Sequence, residues 1–295
     1  MPGEAAPPSG STLAPGLYVV GTPIGNLEDI TFRALRTLKE ADLIACEDTR
    51  RTQLLLNRYT IRTPTVSYHE HNEMTRAPEL ILQLEEGSHV ALVSDAGMPG
   101  ISDPGYRLVH LAVRHGIRVI PVPGVTAFVA ALSAAGLPVD EFHFVGFLPA
   151  KRVGRRKALE GLKKGTETLI FYEAPHRLLE MLKDAQSILG DRPVVIAREI
   201  TKVYEEFLRG SLSEVLTTLK SKPLKGELTV LVGPPTGEGK PRARETGASI
   251  SEEMARLAAK QGLDERAALK VLARARGISK SEAYRQWQAE KTLSR

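Results

Sequence analysis

The sequence predicts an α/β protein, with two α/β domains followed by a small helical module at the C-terminal end. Short apolar runs rich in β-branched residues alternate with helical patterns in the first half of the chain, which is typical of a mostly parallel sheet covered by helices. A second set of strands and helices begins after a basic segment. The chain has 295 residues, more than one domain usually needs, and its 42% hydrophobic and 25% charged residues suit a globular protein.

The first domain is predicted over residues 17–149. Its strands are expected at residues 17–20, 43–45, 90–93 and 119–121, and its helices at 31–40, 76–84, 105–114 and 127–135. Ligands of such sheets bind beyond the carboxyl ends of the strands, so we expect the active cleft there. Residues 1–16 are rich in Pro, Gly, Ser and Ala and are interpreted as a disordered tail on a cytoplasmic protein.

The second domain is predicted over residues 150–235, with more strand and shorter connections than the first. Strands are expected at 168–172, 194–199, 204–209 and 227–232, and helices at 176–189 and 212–219. Residues 236–247 form a Pro/Gly-rich linker, and 248–295 form a module with helices at 251–260, 265–277 and 279–290. Ser251, Asp264 and Ser279 are the expected N-caps, and Gly262 and Gly277 end the first two helices. The last two helices resemble a helix-turn-helix.

Positive charge is concentrated in two parts of the chain. Residues 240–295 hold 13 Lys and Arg against 7 Asp and Glu, whereas the residues before them are nearly balanced. The second concentration, residues 151–164, contains Lys151, Arg152, Arg155 and Arg156 and one acid, Glu160. Such clusters suit the phosphates of a nucleic acid, and a solvated helix face is the alternative.

Four loops rich in glycine, proline and small residues follow predicted strands. The first, Gly21-Thr22-Pro23-Ile24-Gly25-Asn26-Leu27, differs from the Gly-x-Gly-x-x-Gly dinucleotide fingerprint. The second, residues 94–105, has a density of special backbone positions that indicates a rim around a ligand. The third, residues 121–127, leads into a small-residue helix whose first N–H groups can bind polar atoms. The fourth, residues 171–177, ends the first strand of the second domain and can close the cleft.

The order and wording of these loops, with Glu47-Asp48-Thr49-Arg50 and Gly146-Phe147-Leu148-Pro149, resemble the tetrapyrrole-methylase superfamily. The match is to its ribosomal RNA small subunit 2′-O-ribose methyltransferase I branch, over about residues 17–235, and the C-terminal helices are similar to that branch's appended module. The resemblance implies two α/β domains with S-adenosylmethionine in the cleft between them, a homodimer and no metal. It also implies a target, a cytidine ribose in the decoding region of small-subunit (16S) rRNA, either as free RNA or in the assembled subunit.

Carried over position by position, the resemblance assigns seven residues to the cofactor. They are Ile24, Met98, Ile101, Thr126, Ala127, Tyr172 and Glu173. The precorrin methylases have Gly-Asp-Pro where this chain has Gly97-Met98-Pro99, which argues against the alternative of a precorrin- or uroporphyrinogen-type methyltransferase. A non-catalytic RNA-binding protein with the same fold is the third hypothesis. The departure leaves open whether Asp95 or Asp103 faces the methionine ammonium.

Methyl transfer to a ribose hydroxyl requires alignment of the acceptor oxygen and removal of one proton. The candidate proton acceptors are Glu47, Asp48 and Asp103, all predicted at strand ends facing the cleft. Each also has a structural alternative, since Asp48 can cap a helix, Glu47 can pair with a nearby arginine, and Asp103 can hold its own turn. Arg50 and Arg51 join the residues of the basic segment as expected RNA contacts.

Three further features have open or modest interpretations. His69 and His71 lack the second ligand pair of a closed zinc site, so a pocket or loop role is preferred to metal binding. Cys46 lies in an apolar run and is expected to be a buried structural thiol. Arg198, Glu199 and Lys202 are expected either to form an ion-pair network or to touch RNA.

Overall fold

The computed structural model describes residues 13–221, 224–235, 264–275 and 280–293, with the single positions 251, 254, 257 and 262. The chain divides into two compact units, one ending at Pro235 and one formed by the residues after it. The predicted linker, most of the predicted tail and the caps Gly277 and Ser279 lie outside the described residues. None of the helices in the described ranges is long and apolar enough to cross a bilayer.

The first sheet has five parallel strands, each followed by a helix. The strands are β1 (Gly16–Val20), β2 (Leu43–Cys46), β3 (Thr65–Ser67), β4 (His89–Val93) and β5 (Val119–Val122). The helices are α1 (Phe32–Glu40), α2 (Thr49–Arg58), α3 (Glu73–Glu85), α4 (Tyr106–Arg114) and α5 (Ala127–Ala135). The strand order β3-β2-β4-β1-β5 places the carboxyl ends of β4, β1 and β5 side by side.

Both faces of this sheet are buried, which explains the nearly continuous apolar strands of the sequence. Tyr18 and Val20 of β1 point to one face with Leu38 of α1. Leu17 points to the opposite face, where Leu80 of α3 and Leu108 of α4 cover it. The alternation fixes the register of β1, because a shift of one residue would exchange the two faces.

The second sheet is mixed, as the shorter connections predict. Its strands are β6 (Phe142–Phe147), β7 (Thr168–Glu173), β8 (Pro193–Arg198), β9 (Glu206–Ser211) and β10 (Leu228–Val232), in the order β6-β7-β10-β8-β9. β6 and β7 are parallel, and the other neighbours are antiparallel. One face is covered by the helices α6 (Arg152–Leu162), α7 (Pro175–Leu189) and α8 (Leu212–Ser221).

Helix α5 joins the two sheets. It begins after the last strand of the first sheet and packs its Ala131, Leu132 and Ala135 against the free face of the second sheet, where Ile170 and Leu231 lie. The α5 residues are small, so the helix can approach the strands closely. As a result, the loop that starts α5 is held next to the end of β7.

The edge strand β6 contains a β-bulge. Phe144 is opposite Ile170 of β7, but the next paired residue is Gly146, opposite Phe171, so Val145 is the extra residue. Gly146 has a φ of 74°, a conformation that other residues rarely adopt. Bulges of this kind redirect the side chains that follow them.

The fold class predicted from the sequence is confirmed. The prediction omitted β3, α2, β6 and α6, and each omission has a physical reason. β3 has only three half-buried residues, and α2 starts three residues after β2, too soon for a visible break. β6 and α6 were not predicted as elements. β6 is a half-exposed edge strand without clear alternation, and the apolar positions of α6 are interrupted by its arginines.

The second unit is described through two helices, α9 (Glu265–Ala275) and α10 (Lys280–Leu293). A small apolar core holds Leu269, Leu272 and Trp287 together with Met254. The Asp264 carboxylate accepts a hydrogen bond from the Ala267 N–H at 2.7 Å, so the predicted cap of α9 is confirmed. The predicted helix at 251–260 lies mostly outside the described residues.

Candidate active site

A cavity of 460 Å³ lies where the carboxyl ends of β1, β4 and β5 face the end of β7, within the size range of ligand pockets. All seven residues that the sequence assigns to the cofactor lie on its wall: Ile24, Met98, Ile101, Thr126, Ala127, Tyr172 and Glu173. They come from four loops spread over about 150 positions of sequence. The topology brings them together at one edge of the first sheet.

The loops after β1 and β5 approach each other backbone to backbone. A Cβ atom on Gly21 would lie 2.7 Å from the Gly124 Cα, and a Cβ atom on Gly124 would lie 2.8 Å from the Gly21 Cα. Gly21 also donates its N–H to Val122 at 3.1 Å. Only glycine therefore fits at either position while the two loops keep this approach.

The loop after β4 is fastened to the loop after β1. Thr22 and Gly97 exchange backbone hydrogen bonds at 2.9 and 3.1 Å. The buried Thr22 hydroxyl donates to the Ser94 carbonyl at 3.1 Å. Through these bonds Met98 and Ile101, which follow Gly97 on the cavity wall, are held opposite Ile24.

Tyr172 connects the second sheet to the start of α5. Its hydroxyl accepts a hydrogen bond from the Phe128 N–H at 3.3 Å, which satisfies one of the first donors of that helix. Thr126 precedes the helix without capping it through its side chain. Thr126 and Ala127 thus present the start of α5 to the cavity.

Glu173 is a buried carboxylate in which, within the described part of the chain, one oxygen is hydrogen-bonded and the other is not. Oε1 accepts a hydrogen bond from the Ala174 N–H at 2.8 Å and lies 3.1 Å from Arg177 Nε. Oε2 is buried and has no hydrogen-bond partner among the residues that the structure describes. A buried acceptor without a partner is costly in a folded protein, so this oxygen fits a donor from a bound ligand.

Three of the five carboxylates on the cavity wall follow strands of the first sheet: Glu47, Asp95 and Asp103. Asp95 is committed, because its Oδ1 accepts from the Asp48 N–H at 3.0 Å and its Oδ2 lies 3.4 Å from Arg51. Burial raises the pKa of Asp103 to about 6, with a further contribution from the charge of Glu47. Burial, and then the charge of Asp95, also raises the pKa of Glu47. Asp103 is therefore a carboxylate that can exchange a proton near neutral pH.

Asp48, the third candidate proton acceptor, has a structural role outside the cavity wall. Its carboxylate caps α2 by accepting the Arg50 N–H at 2.9 Å, and it also binds the Arg50 side chain. The hydrogen bonds from Arg50 lower the pKa of Asp48 to about 2. A carboxylate with that pKa is a poor proton acceptor, so we leave Asp48 out of the proposed catalytic set.

The basic segment divides into exposed and buried arginines. Lys151 is exposed, and Arg152, whose side chain is 71% exposed, lies 3.5 Å from Asp184. Arg155 is buried, and its guanidinium binds Asp184 at 2.7 Å between α6 and α7. Its expected role as an RNA contact is therefore replaced by a structural one, while Arg156 also pairs with Asp184 at 3.0 Å and stays partly exposed.

Sequence reasoning missed the part of the wall that comes from the end of the second sheet. Ile200, Gly226 and Glu227 line the cavity from two loops that carry no recognisable motif. The open question about Lys202 is answered by an ion-pair network, because its ammonium lies 3.0 Å from both Glu199 and Glu227. The only sequence signal here was the clustering of charge around residues 198–202.

His69 and His71 follow β3, and the His69 Nδ1 atom is buried without a hydrogen-bond partner among the described residues. The His69 N–H donates to the Asn72 side chain at 2.8 Å, which organises the turn after β3, and the His69 and His71 rings lie 5.9 Å apart. No group of three or more metal-binding side chains occurs within the described ranges. Cys46 is buried, and burial raises the pKa of its thiol.

Comparison with known proteins identifies a family and relatives that match most of the chain. A sequence profile described as Tetrapyrrole (Corrin/Porphyrin) Methylases matches residues 16–216. A Halalkalibacterium halodurans protein named Ribosomal RNA small subunit methyltransferase I is 59% identical over 216 residues, 73% of this chain and 75% of the relative. A Synechocystis protein of the same name is 45% identical over 280 residues, 95% of this chain and 94% of the relative.

A solved structure supports the same fold. The uroporphyrin-III C-methyl transferase from Thermus thermophilus, complexed with S-adenyl homocysteine, superposes with a TM-score of 0.53 at 23% sequence identity. The match covers 73% of this chain and 96% of the other. At this identity, the likeness establishes the fold and not the substrate.

Proposed function

This chain belongs to the tetrapyrrole methylase family, and we propose that it is an S-adenosylmethionine-dependent methyltransferase of small-subunit ribosomal RNA. One observation carries the proposal. The residues assigned to the cofactor, although far apart in sequence, meet on the wall of one cavity beside a carboxylate with a pKa of about 6.

The residues present fit S-adenosylmethionine. The glycine contact between Gly21 and Gly124 holds together the loops that carry Ile24 and Thr126, which line the cavity. The unpartnered Oε2 of Glu173 can accept a hydrogen bond from the cofactor. Ile24, Met98 and Ile101 supply apolar surface. These residues would hold the cofactor between the two sheets.

Bound S-adenosylmethionine supplies an electrophilic methyl group on a sulfonium. The remaining task for the protein is to hold the acceptor oxygen in line and take up its proton. Asp103 is the proposed proton acceptor, because it lines the cavity, is largely withdrawn from water and has a pKa close to neutral. Glu47 is the proposed positioning residue, since its charge raises the pKa of Asp103.

The acceptor is proposed to be the 2′-hydroxyl of a cytidine in the decoding region, as in the resembling branch, with the enzyme acting as a cytoplasmic homodimer. The cations proposed to contact RNA phosphates are the exposed Lys151, Arg152, Arg50 and Arg51 and the partly exposed Arg156. Met98 lines the cavity where precorrin methylases have an aspartate, which favours RNA over a tetrapyrrole.

The direct test uses small ribosomal subunits purified from a strain lacking the gene, incubated with the full chain and methyl-labelled S-adenosylmethionine. We expect label in the RNA and, after digestion to nucleosides, in 2′-O-methylcytidine. A catalytically impaired chain, Asp103→Asn, is the control for contaminating methyltransferases. Label on a base, or no transfer to the subunits, would contradict the proposed reaction.

Asp103→Asn should lower kcat by about 10²-fold or more, because loss of a general base typically costs 10²–10⁴-fold. In the wild type, kcat should fall as the pH drops below about 6 and Asp103 becomes protonated.

The substitution Asp103→Asn should also stabilise the fold. The pKa of Asp103 is higher in the folded protein than in the unfolded chain, so the folded state loses stability as the pH rises from about 4 to about 6. Asparagine does not ionise and therefore avoids this loss at pH 7.

Melting temperatures at pH 7 and pH 4 test the predicted gain in stability, with Asp140→Asn, a substitution at an exposed position, as the matched control. The gain for Asp103→Asn should be present at pH 7 and small at pH 4. An equal gain at both pH values would contradict the ionisation argument, and an unchanged kcat would remove Asp103 from the mechanism.

Lys151→Ala and Arg152→Ala should weaken binding of small ribosomal subunits and make it less dependent on salt. Each removed phosphate contact should reduce the slope of log K against log salt by about 1. Lys39→Ala, which removes an exposed charge from α1, is the control. Affinity measured at four KCl concentrations gives the slopes, and slopes unchanged from wild type would show that this charge is only a solvated surface.

A further inference from the structure

Phe147 is a large aromatic residue on the cavity wall that the proposed mechanism does not use. Its side chain is 57% exposed, although it lies at the inner end of β6 and borders the cavity. Leaving an aromatic ring in water gives up much of the free energy that its burial would contribute. Exposure of such a ring at the mouth of a cavity marks a surface for a ligand.

The β-bulge is what puts Phe147 there. Alternation along a regular strand would place residue 147 on the same face as Val145, which packs against the core under α6 and α7. The extra residue at the bulge reverses that order, so Phe147 pairs with Tyr172 and shares the cavity face with Phe144. The left-handed conformation of Gly146 is therefore part of the bulge that places Phe147 on the cavity face.

The ring of Phe147 is supported along one side. Its centroid lies 5.6 Å from that of Tyr172, tilted by 56°. Tyr172 is itself held edge-on by Phe144 at 5.1 Å, and Phe144 stacks on Phe128 at 4.3 Å. This row of rings fixes the orientation of Phe147 without covering it, as a stacking platform requires.

Groups of complementary chemistry flank the ring. A Cβ atom on Gly146 would lie 3.1 Å from the Ser102 hydroxyl, so the bulge packs against the loop that carries Asp103. In the other direction the chain continues within a few residues to the exposed cations Lys151 and Arg152. A proton acceptor, an exposed aromatic face and cations are the groups that would recognise the ribose hydroxyl, the base and the phosphate of a nucleotide.

We propose that Phe147 stacks on the nucleobase of the acceptor nucleotide and so presents its ribose to Asp103. The inference rests on the proposed function and names the part of the RNA that this residue recognises. The adenine of the cofactor is the other base that could reach the cavity. The acceptor base is favoured because Phe147 lies on the edge strand that leads into the basic helix, whereas five of the seven residues assigned to the cofactor follow strands of the opposite sheet.

The test compares Phe147→Ala, Phe147→Leu and Phe147→Trp in methyl transfer to small ribosomal subunits lacking the modification. Stacking on one base is worth about 5- to 150-fold in affinity, so Phe147→Ala should raise the KM for subunits by about 10-fold or more. Phe147→Leu should behave like the alanine variant, and Phe147→Trp should stay within about 3-fold of wild type. The Kd for S-adenosylmethionine, measured by calorimetry, should change less than about 2-fold in all three.

Phe142→Ala is the matched control, because Phe142 is 47% exposed on the same strand but lies outside the cavity wall. It should leave both constants unchanged. A weaker Kd for the cofactor with an unchanged KM for subunits would assign Phe147 to the adenine instead. A Phe147→Leu variant as active as wild type would contradict stacking, because apolar contact alone would then be enough. An inactive wild-type chain would instead overturn the proposed function.

Discussion

The close approach of the Gly21 and Gly124 backbones is the constraint on which the site depends. β1 is flanked by β4 and β5, so the loops that leave these three strands must share one edge of the sheet. Glycine at both positions lets two of the loops touch through their main chains, and the Thr22 to Gly97 bonds attach the third. These contacts hold in place the three loops that supply Ile24, Met98 and Thr126 to the cavity wall.

The second sheet completes the cavity through α5. Because α5 packs its small residues on that sheet, the Tyr172 hydroxyl reaches the first turn of the helix, and Glu173 is buried beside it. Burial at the cavity raises the pKa of both Asp103 and Glu47. The protein thus keeps carboxylates in an unfavourable state at the place where proton transfer is proposed. Such local cost is common where stability is given up for function.

Most of the fold could be predicted from the sequence because its strands are buried on both faces and read as apolar runs. The loops that line the cavity were also visible, since close backbone contacts demand glycine and proline at fixed places. Arg155 was assigned to RNA because the sequence cannot show that Asp184, 29 positions later, lies opposite it. Ile200 and Gly226 were missed because they reach the wall through tertiary placement and belong to no motif. The orientation of Phe147 depends on a bulge that alternation alone cannot reveal.

Calorimetric titration of S-adenosylmethionine into three proteins, in the presence of chelator, tests whether the cavity beside the Gly21 and Gly124 contact is the cofactor site. The wild-type chain should bind one cofactor per chain. Gly124→Ala should lose at least about 10-fold in affinity, equivalent to about 1.4 kcal/mol, because the added methyl group forces the two loops apart. Gly161→Ala, where the added atom meets open space on α6, should bind like wild type. A folded Gly124→Ala protein with wild-type affinity would show that the contact between Gly21 and Gly124 does not shape the cofactor site.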